Sequence, residues 1–182
     1  MLAKTLSFSA VFLSICSCTS AQTLSAPKAG QCPSEVESIF ASIVGEWSLS
    51  IRADEGWTGY GNSSISWDED QKCGVIERSF AVFNQENETP SENRATTYVL
   101  YDELSETIKV LTADKRGFVH IGIAAVEKPL IVDVLKPSGE APNRRIQYRN
   151  FELGSFEWSW EGRADDADVW HERLTMNYKK AR

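Results

Sequence analysis

From about residue 46 to its end, the chain alternates hydrophobic and polar residues in short stretches that turn residues separate. The alternation is clearest in 154–162, where Phe156, Trp158 and Trp160 fall on one face and serines and glutamates on the other. A period of two residues is typical of a strand with one buried face, and consecutive strands at this spacing usually pair with their neighbours. Because no strand–helix–strand rhythm interrupts them, the pattern favours an antiparallel sheet.

The pattern predicts about ten strands in a row. We place them at 47–52, 58–67, 72–83, 95–102, 106–112, 117–126, 129–135, 143–150, 154–162 and 168–179. The polar stretch 84–93 is the longest predicted connection. Ten such strands favour an all-β, up-and-down barrel, which encloses either a packed core or one small ligand.

One amphipathic helix is predicted before the strands, over residues 34–44. Pro33 can open it and Gly45 can end it. Its apolar residues form a single stripe, made of Val36, Ile39, Phe40, Ile43 and Val44. A short helix with one apolar stripe must cover another surface, and the barrel mouth is the natural one. We therefore expect a capping helix, with a partner-binding helix as the alternative.

The first residues have the pattern of an export signal. Lys4 precedes an apolar stretch from Leu6 to Cys18, and small residues precede Gln22. We predict a signal peptide over 1–21, a flexible leader over 22–31 and a single barrel domain over 32–182. The expected location is secreted or periplasmic, without a membrane span. Acylation of Cys16 or Cys18, as in a lipoprotein, is the alternative.

The charge and the motifs exclude several classes of function. The formal net charge of −7 disfavours nucleic acid or an anionic membrane as partner. The sequence has two histidines and lacks a zinc motif, a nucleophile elbow and a phosphate-binding glycine loop. We therefore predict no catalytic motif, no metal and no cofactor, and the sequence leaves the oligomeric state open.

Two cysteines, Cys32 and Cys73, lie beyond the predicted signal peptide. In an exported protein an even pair is first interpreted as a disulfide. Neither cysteine has a second cysteine or a histidine at metal-ligand spacing. The bond would fasten the helix to an early strand.

The tripeptide Gly45-Glu46-Trp47, which opens the first strand just after a helix, resembles the start of the calycin barrels, the lipocalins and their relatives. More of the chain resembles a family of exported bacterial proteins that have a lipocalin-like barrel and no established activity. The matching positions are Cys32, Phe40, Cys73-Gly74, Glu77, Tyr101-Asp102, Asp114-Lys115-Arg116-Gly117, Asp165-Asp166-Ala167-Asp168, Trp170 and Tyr178. The resemblance implies an antiparallel calycin-like barrel and an intramolecular cysteine pair. Haem-binding relatives have further glycines after Gly-x-Trp, whereas Ser48, Leu49 and Ser50 follow it here.

Four tryptophans of the first and last strands, Trp47, Trp158, Trp160 and Trp170, should meet if the barrel closes. Such a cluster serves either core packing or contact with an apolar or planar ligand. His120 is a further candidate for contact with a ligand, because its small neighbours Gly122 and Ala124 would leave space beside the imidazole. A surface or wall histidine is the alternative.

Charged residues inside apolar strands are the remaining candidates. Glu172 shares its predicted face with Trp170 and Leu174, and a charge inside a barrel must be paired or solvated. Glu172 and Arg145 could therefore form a polar spot in a cavity, with outward-facing salt bridges as the alternative.

These features favour an exported binding protein of lipocalin-like type with a small, apolar ligand. The expected ligand-binding residues are Trp47, His120, Arg145, Trp158, Trp160, Trp170 and Glu172. The alternatives are an envelope scaffold with a filled barrel, and a hydrolase or isomerase that uses Glu77, Glu172 or His120. An open cavity would favour binding over the scaffold, and an inward carboxylate with a raised pKa would favour the enzyme.

Overall fold

The computed structural model describes residues 32–70, 73–86, 88–164 and 167–181. It shows a closed antiparallel barrel of ten strands with one short helix before it, which confirms the predicted fold class. The elements are α1 (Ser34–Ile43), β1 (Gly45–Ala53), β2 (Thr58–Trp67), β3 (Gly74–Asn84), β4 (Ser91–Asp102), β5 (Thr107–Asp114), β6 (Val119–Ala124), β7 (Leu130–Val134), β8 (Arg144–Glu152), β9 (Ser155–Gly162) and β10 (His171–Lys180). A short 3-10 helix, Asp54–Gly56, joins β1 to β2.

Each strand pairs with its neighbours in sequence, and β10 closes the barrel against β1. Most strand boundaries differ from the prediction by one to three residues, and the start of β4 differs by four. The predicted loop 84–93 is shortened because β4 begins at Ser91 and pairs there with Phe83 of β3. The connection 135–143 between β7 and β8 is therefore longer. The start of β4 is polar because its inward side chains line a polar wall, so hydrophobicity does not mark it.

Helix α1 fills the end of the barrel at which the odd-numbered strands begin. Its stripe is buried, with Val36, Ile39, Phe40 and Ile43 at 2 % exposure or less. The helix is fastened in two places. The Cys32–Cys73 disulfide predicted from the sequence is present, and the indole N–H of Trp47 donates a 2.7 Å hydrogen bond to the carbonyl of Ile43. The predicted cap is confirmed, and this end is called the helix end below.

Large side chains fill the interior next to the helix. Trp47 packs edge-on against Phe156 at 4.8 Å between ring centroids, and Phe156 stacks on Tyr178 at 4.1 Å. The other fully buried residues of this core include Ile65, Val75, Val99, Ile108, Leu130 and Val132. The aromatic residues that meet at the seam are thus Trp47, Phe156 and Tyr178. The predicted cluster of four tryptophans is wrong, because Trp158 and Trp160 contact each other further along β9 and Trp170 precedes β10. No helix in the described ranges is long and apolar enough to cross a membrane.

A β-bulge in β10 corrects the predicted face of Glu172. Glu172 pairs with Glu161 and Leu174 pairs with Trp160, so that Arg173 is an extra residue between two regular pairs. An extra residue reverses the alternation of faces along a strand. Leu174 therefore points inward and Glu172 outward, and the predicted shared face of these two residues is wrong. The predicted segments 1–21 and 22–31 lie outside the described residues.

Candidate ligand cavity

A cavity of about 520 Å³ occupies the half of the barrel away from the helix. Its mouth lies at the end where the even-numbered strands begin, beside Trp57, Ser91 and His120. The packed core of the helix end closes the opposite side. The volume falls within the range of about 300–1,000 Å³ that is usual for small-molecule sites. The interior away from the helix is therefore not filled by the barrel's own side chains.

One wall of the cavity is aromatic and aliphatic. Trp158 and Trp160 are successive inward residues of β9, with ring centroids 6.5 Å apart and planes inclined by 28°. Ile146 of β8 and Leu174 and Met176 of β10 flank them. Successive inward positions lie two residues apart, so the two indoles form one extended surface.

The facing wall, on β3, β4 and β5, carries polar side chains among the apolar Ala81, Phe83 and Ala95. The polar side chains are those of Ser79, Ser91, Asn93, Thr97, Thr112 and Asp114. The hydroxyls of Thr97 and Thr112 lie 3.0 Å apart and hydrogen-bond to each other. The amide oxygen of Asn93 is buried and finds no hydrogen-bond partner among the described residues. Buried polar atoms are normally paired, so this acceptor is available to a molecule in the cavity.

The floor of the cavity carries a buried carboxyl group, that of Glu77, at 6 % exposure. Its Oε1 accepts a 2.7 Å hydrogen bond from the Ser63 hydroxyl and a 2.8 Å hydrogen bond from the Tyr178 hydroxyl. Burial raises the pKa of Glu77 above its ordinary value, because desolvation outweighs these two hydrogen bonds. Burial and the nearby Glu77 in turn raise the pKa of Tyr178, which stays neutral.

Two arginines at the mouth are paired with carboxylates, and a third, Arg144, lies 6.0 Å from the ring centroid of Trp160. Arg116 binds Asp114 through Nε at 2.9 Å and Nη2 at 2.8 Å. The backbone N–H groups of Arg116 and Phe118 donate to the same carboxylate. Arg173 binds Asp54 at 2.9 Å. The mouth therefore holds two ion pairs, both partly exposed to solvent.

His120 lies at the mouth between two aromatic rings. It stacks on Phe118 at 6.4 Å and meets the edge of Trp160 at 5.1 Å. Burial, with a contribution from Arg144, lowers the pKa of His120, so the imidazole is neutral at pH 7. The space expected beside Gly122 is not open, because a Cβ there would meet the Val132 side chain at 2.4 Å.

Of the seven predicted ligand-binding residues, the structure brings His120, Trp158 and Trp160 to the cavity. Trp47 lies in the packed helix end instead. The other three, Arg145, Trp170 and Glu172, lie together on the outer surface of the barrel.

This outer group is an ionic network. Arg145 binds Glu161 at 2.6 Å, and its guanidinium carbon lies 4.3 Å from the ring centroid of Trp170. Glu172 binds Arg149 at 2.5 Å rather than Arg145. The predicted polar spot inside the cavity is therefore wrong, and the outward-facing salt bridges are observed. The reason is the bulge at Arg173, together with the inward position of Ile146, which turns Arg145 outward.

Several cavity residues were absent from the predicted ligand-binding set, chiefly Glu77, Asn93 and Asp114. For Glu77 the signal was present, because residues 75, 77 and 79 are two positions apart and Glu77 therefore shares the inner face of β3 with Val75 and Ser79. Asn93 belonged to the stretch interpreted as a loop. Extending the alternation of Ala95, Thr97 and Val99 backwards would have placed it on the inner face.

The raised pKa of Glu77 leads to a prediction about stability. The folded state keeps the carboxyl proton of Glu77 at pH values where the unfolded state has lost it. The contribution of the protonated Glu77 to the free energy of unfolding is therefore complete below the ordinary glutamate pKa of about 4.3. It is lost as the pH rises through the raised pKa of the folded state. The Glu77→Gln variant has no carboxyl group at this position, so its free energy of unfolding should not fall with pH for this reason. In urea denaturation from about pH 4.5 to pH 8, the difference in free energy of unfolding between variant and wild type should grow with pH.

The exposed Glu103 supplies the control, because Glu103→Gln alters a solvated turn residue. The Glu103→Gln profile should run parallel to that of wild type. A parallel profile for Glu77→Gln as well would show that Glu77 has an ordinary pKa in the folded protein.

Comparisons with known proteins give a structural likeness only. No family model and no curated protein matches the chain. Among solved structures, the S-type phycobiliprotein lyase CPES from Guillardia theta aligns with a TM-score of 0.52 at 10 % identity, over 81 % of this chain and 93 % of that one. The likeness concerns the fold alone, and it agrees with the closed ten-stranded barrel in giving the chain a calycin-like β-barrel fold.

Proposed function

We propose that this protein binds a small, flat, amphipathic molecule inside the barrel. The observation that carries the proposal is the open cavity of about 520 Å³ between an aromatic wall and a polar wall. In a ligand-free scaffold side chains would fill the whole interior, whereas here they fill the helix end and leave the cavity beyond it open. The polar groups of the facing wall refine the expected ligand from a largely apolar molecule to one with a polar edge.

The two walls suggest how such a molecule would lie. Trp158 and Trp160 offer ring faces to a planar ligand, and stacking of this kind adds to the burial of apolar area. The unpaired oxygen of Asn93 and the hydroxyl of Thr112 face them as hydrogen-bonding groups. His120, neutral at the mouth, can donate or accept one further hydrogen bond.

The proposal includes export, because a signal peptide over 1–21 is predicted and the Cys32–Cys73 disulfide suits an oxidising compartment. The intact mass of the protein purified from its own cells tests this. We expect cleavage after Ala21 and an oxidised cysteine pair. Retention of residues 1–21 would contradict export through this signal, and an acylated Cys16 or Cys18 would indicate the lipoprotein alternative.

Filling the cavity tests the binding function. The fluorescent probe N-phenyl-1-naphthylamine should bind wild type, with emission that rises on transfer to an apolar site. Ala95 points into the cavity from β4, so Ala95→Trp should weaken probe binding at least about tenfold, equivalent to about 1.4 kcal/mol. Thr96 is the next residue on the same strand and faces outward, so Thr96→Trp should bind the probe as wild type does.

Thermal unfolding of both tryptophan variants shows whether each is folded under the conditions of the titration. Equal affinity for the probe in wild type and a folded Ala95→Trp variant would place the probe outside the cavity and contradict the proposal. Failure of wild type to bind the probe would favour the scaffold alternative.

The position of Glu77 bears on the enzyme alternative as well. It is an inward carboxyl with a raised pKa at an open cavity, which is the setting of many acid–base catalysts. Its hydrogen-bond partners, however, are the hydroxyls of Ser63 and Tyr178. Since His120 is at the mouth and Glu172 is outside the barrel, no second acid–base group of the three candidates lies beside it. The geometry therefore supports binding better than catalysis.

A further inference from the structure

We propose that the ligand carries a protonated amine, which the carboxylate of Glu77 binds at the floor of the cavity. This inference rests on the proposed binding function and adds the chemical class of the ligand. Three features of the described residues carry it: the charges of the cavity, the free acceptor capacity of Glu77, and the depth of Glu77 below the two tryptophans.

The charges of the cavity lining are balanced everywhere except at Glu77. Among the described lining residues the two cations, Arg116 and Arg173, are at the mouth and are paired with Asp114 and Asp54. None of the ion pairs found in the described residues includes Glu77. In the empty cavity burial favours the protonated form of Glu77. A cationic group on a bound molecule takes the place of that proton as the partner of the charged carboxylate.

The carboxyl group of Glu77 also has unused acceptor sites. A carboxylate offers about four acceptor positions on two oxygens. Both hydrogen bonds found here, from Ser63 and Tyr178, end on Oε1. An ammonium group brings three donors and a positive charge, so it satisfies this group better than a neutral donor does, and a carboxylate ligand would be repelled.

The depth of Glu77 fits a ligand that spans the aromatic wall. Tyr178, whose hydroxyl contacts Glu77, is followed towards the mouth by the paired residues Met176 and Trp158, and then by Leu174 and Trp160. A flat ring on the two indoles thus directs a short substituent to the floor. The ring face of a tryptophan also attracts cations, which favours an amine along this path.

The affinity for the amine should depend on pH with a defined sign. Burial raises the pKa of Glu77 in the empty protein, so at lower pH the amine must displace a proton. Binding should therefore strengthen as the pH rises through that pKa and then level off. The groups in contact with Glu77 do not titrate in this range, because Ser63 and Thr97 are hydroxyls and burial raises the pKa of Tyr148 and of Tyr178. His120 at the mouth does gain a charge at low pH, and its pKa is lowered by burial. The Glu77→Gln variant keeps His120, so it separates the two groups.

Three probes with one ring system and different charges test the inference. They are the cation 1-naphthylmethylamine, the neutral 1-methylnaphthalene and the anion 1-naphthaleneacetate. The affinity of each is measured by displacement of N-phenyl-1-naphthylamine from the purified protein. We expect wild type to bind the amine at least about tenfold more tightly than either of the others, a difference of about 1.4 kcal/mol. In Glu77→Gln this preference should disappear, while 1-methylnaphthalene binds as before. Glu103→Gln, in an exposed turn, should keep the preference.

The pH profiles of wild type and Glu77→Gln test the same inference, and the gain in affinity for the amine should be absent in the variant. The amine should gain affinity between about pH 5 and pH 8, whereas 1-methylnaphthalene should not. Equal binding of the three probes, or tightest binding of the acetate, overturns the inference and leaves the binding function intact. If N-phenyl-1-naphthylamine itself does not bind, the proposed function fails and this inference fails with it.

Discussion

Replacing Trp47 with alanine is expected to lower the free energy of unfolding by about 3–5 kcal/mol, the usual cost of removing a buried tryptophan. Trp47 is 2 % exposed and lies where the helix meets the seam of the barrel. Its ring packs edge-on against Phe156 and Tyr178, at 4.8 Å and 6.4 Å between centroids. Its N–H also satisfies the carbonyl of Ile43 near the end of α1. The variant loses these contacts and leaves a cavity at the helix end.

Urea denaturation followed by far-ultraviolet circular dichroism measures this loss. Trp47→Phe retains most of the ring and removes the hydrogen bond, so it should cost less than Trp47→Ala. Trp170→Ala is the matched control, because Trp170 is a half-buried tryptophan on the outer surface between Arg145 and Arg163. A loss below about 1 kcal/mol for Trp47→Ala would show that the helix end is not a rigid core.

The fold could be predicted because its signals are local. The alternation in 154–162 and the stripe of residues 34–44 each follow from neighbours in sequence, and β9 and α1 lie where these patterns predict them. Antiparallel strands joined by short turns pair with their neighbours, so closure follows without information about distant contacts. The disulfide follows from there being two cysteines beyond the predicted signal peptide.

The faces of individual strands were harder to predict. The bulge at Arg173 reverses the faces on the two sides of it, and nothing in residues 170–178 marks its position. A bulge depends on how the strand meets its partners, which is not a property of the strand alone. For this reason Glu172 was assigned to the inner face with Leu174.

In the half of the barrel that holds the cavity, hydrophobicity does not predict which residues point inward. In β6 the exposed residues are Val119 and Ile121, while His120 and Gly122 point inward. The usual rule of apolar residues inside and polar residues outside applies to packed cores. Whether a barrel is filled depends on the summed volume of inward side chains from all ten strands, and a single strand does not reveal it.

Removing the disulfide with the double variant Cys32→Ser, Cys73→Ser should lower the free energy of unfolding by about 4 kcal/mol, if the entropy of a loop of this length in the unfolded chain is the main effect. The two cysteines are 41 positions apart in sequence. Their bond joins a residue two positions before α1 to the residue just before β3, so it also limits how far the helix can move from the barrel end that it fills.

The measurement is urea denaturation of the oxidised protein, the double variant and wild type with tris(2-carboxyethyl)phosphine. The double variant should be unaffected by the reductant, and reduced wild type should match it. Identical midpoints for oxidised wild type and the double variant would show that the crosslink does not stabilise the barrel. Because the cavity opens at the opposite end, the folded double variant should still bind N-phenyl-1-naphthylamine as wild type does. Loss of binding together with stability would mean instead that the helix end and the cavity are coupled through the core around Trp47 and Tyr178.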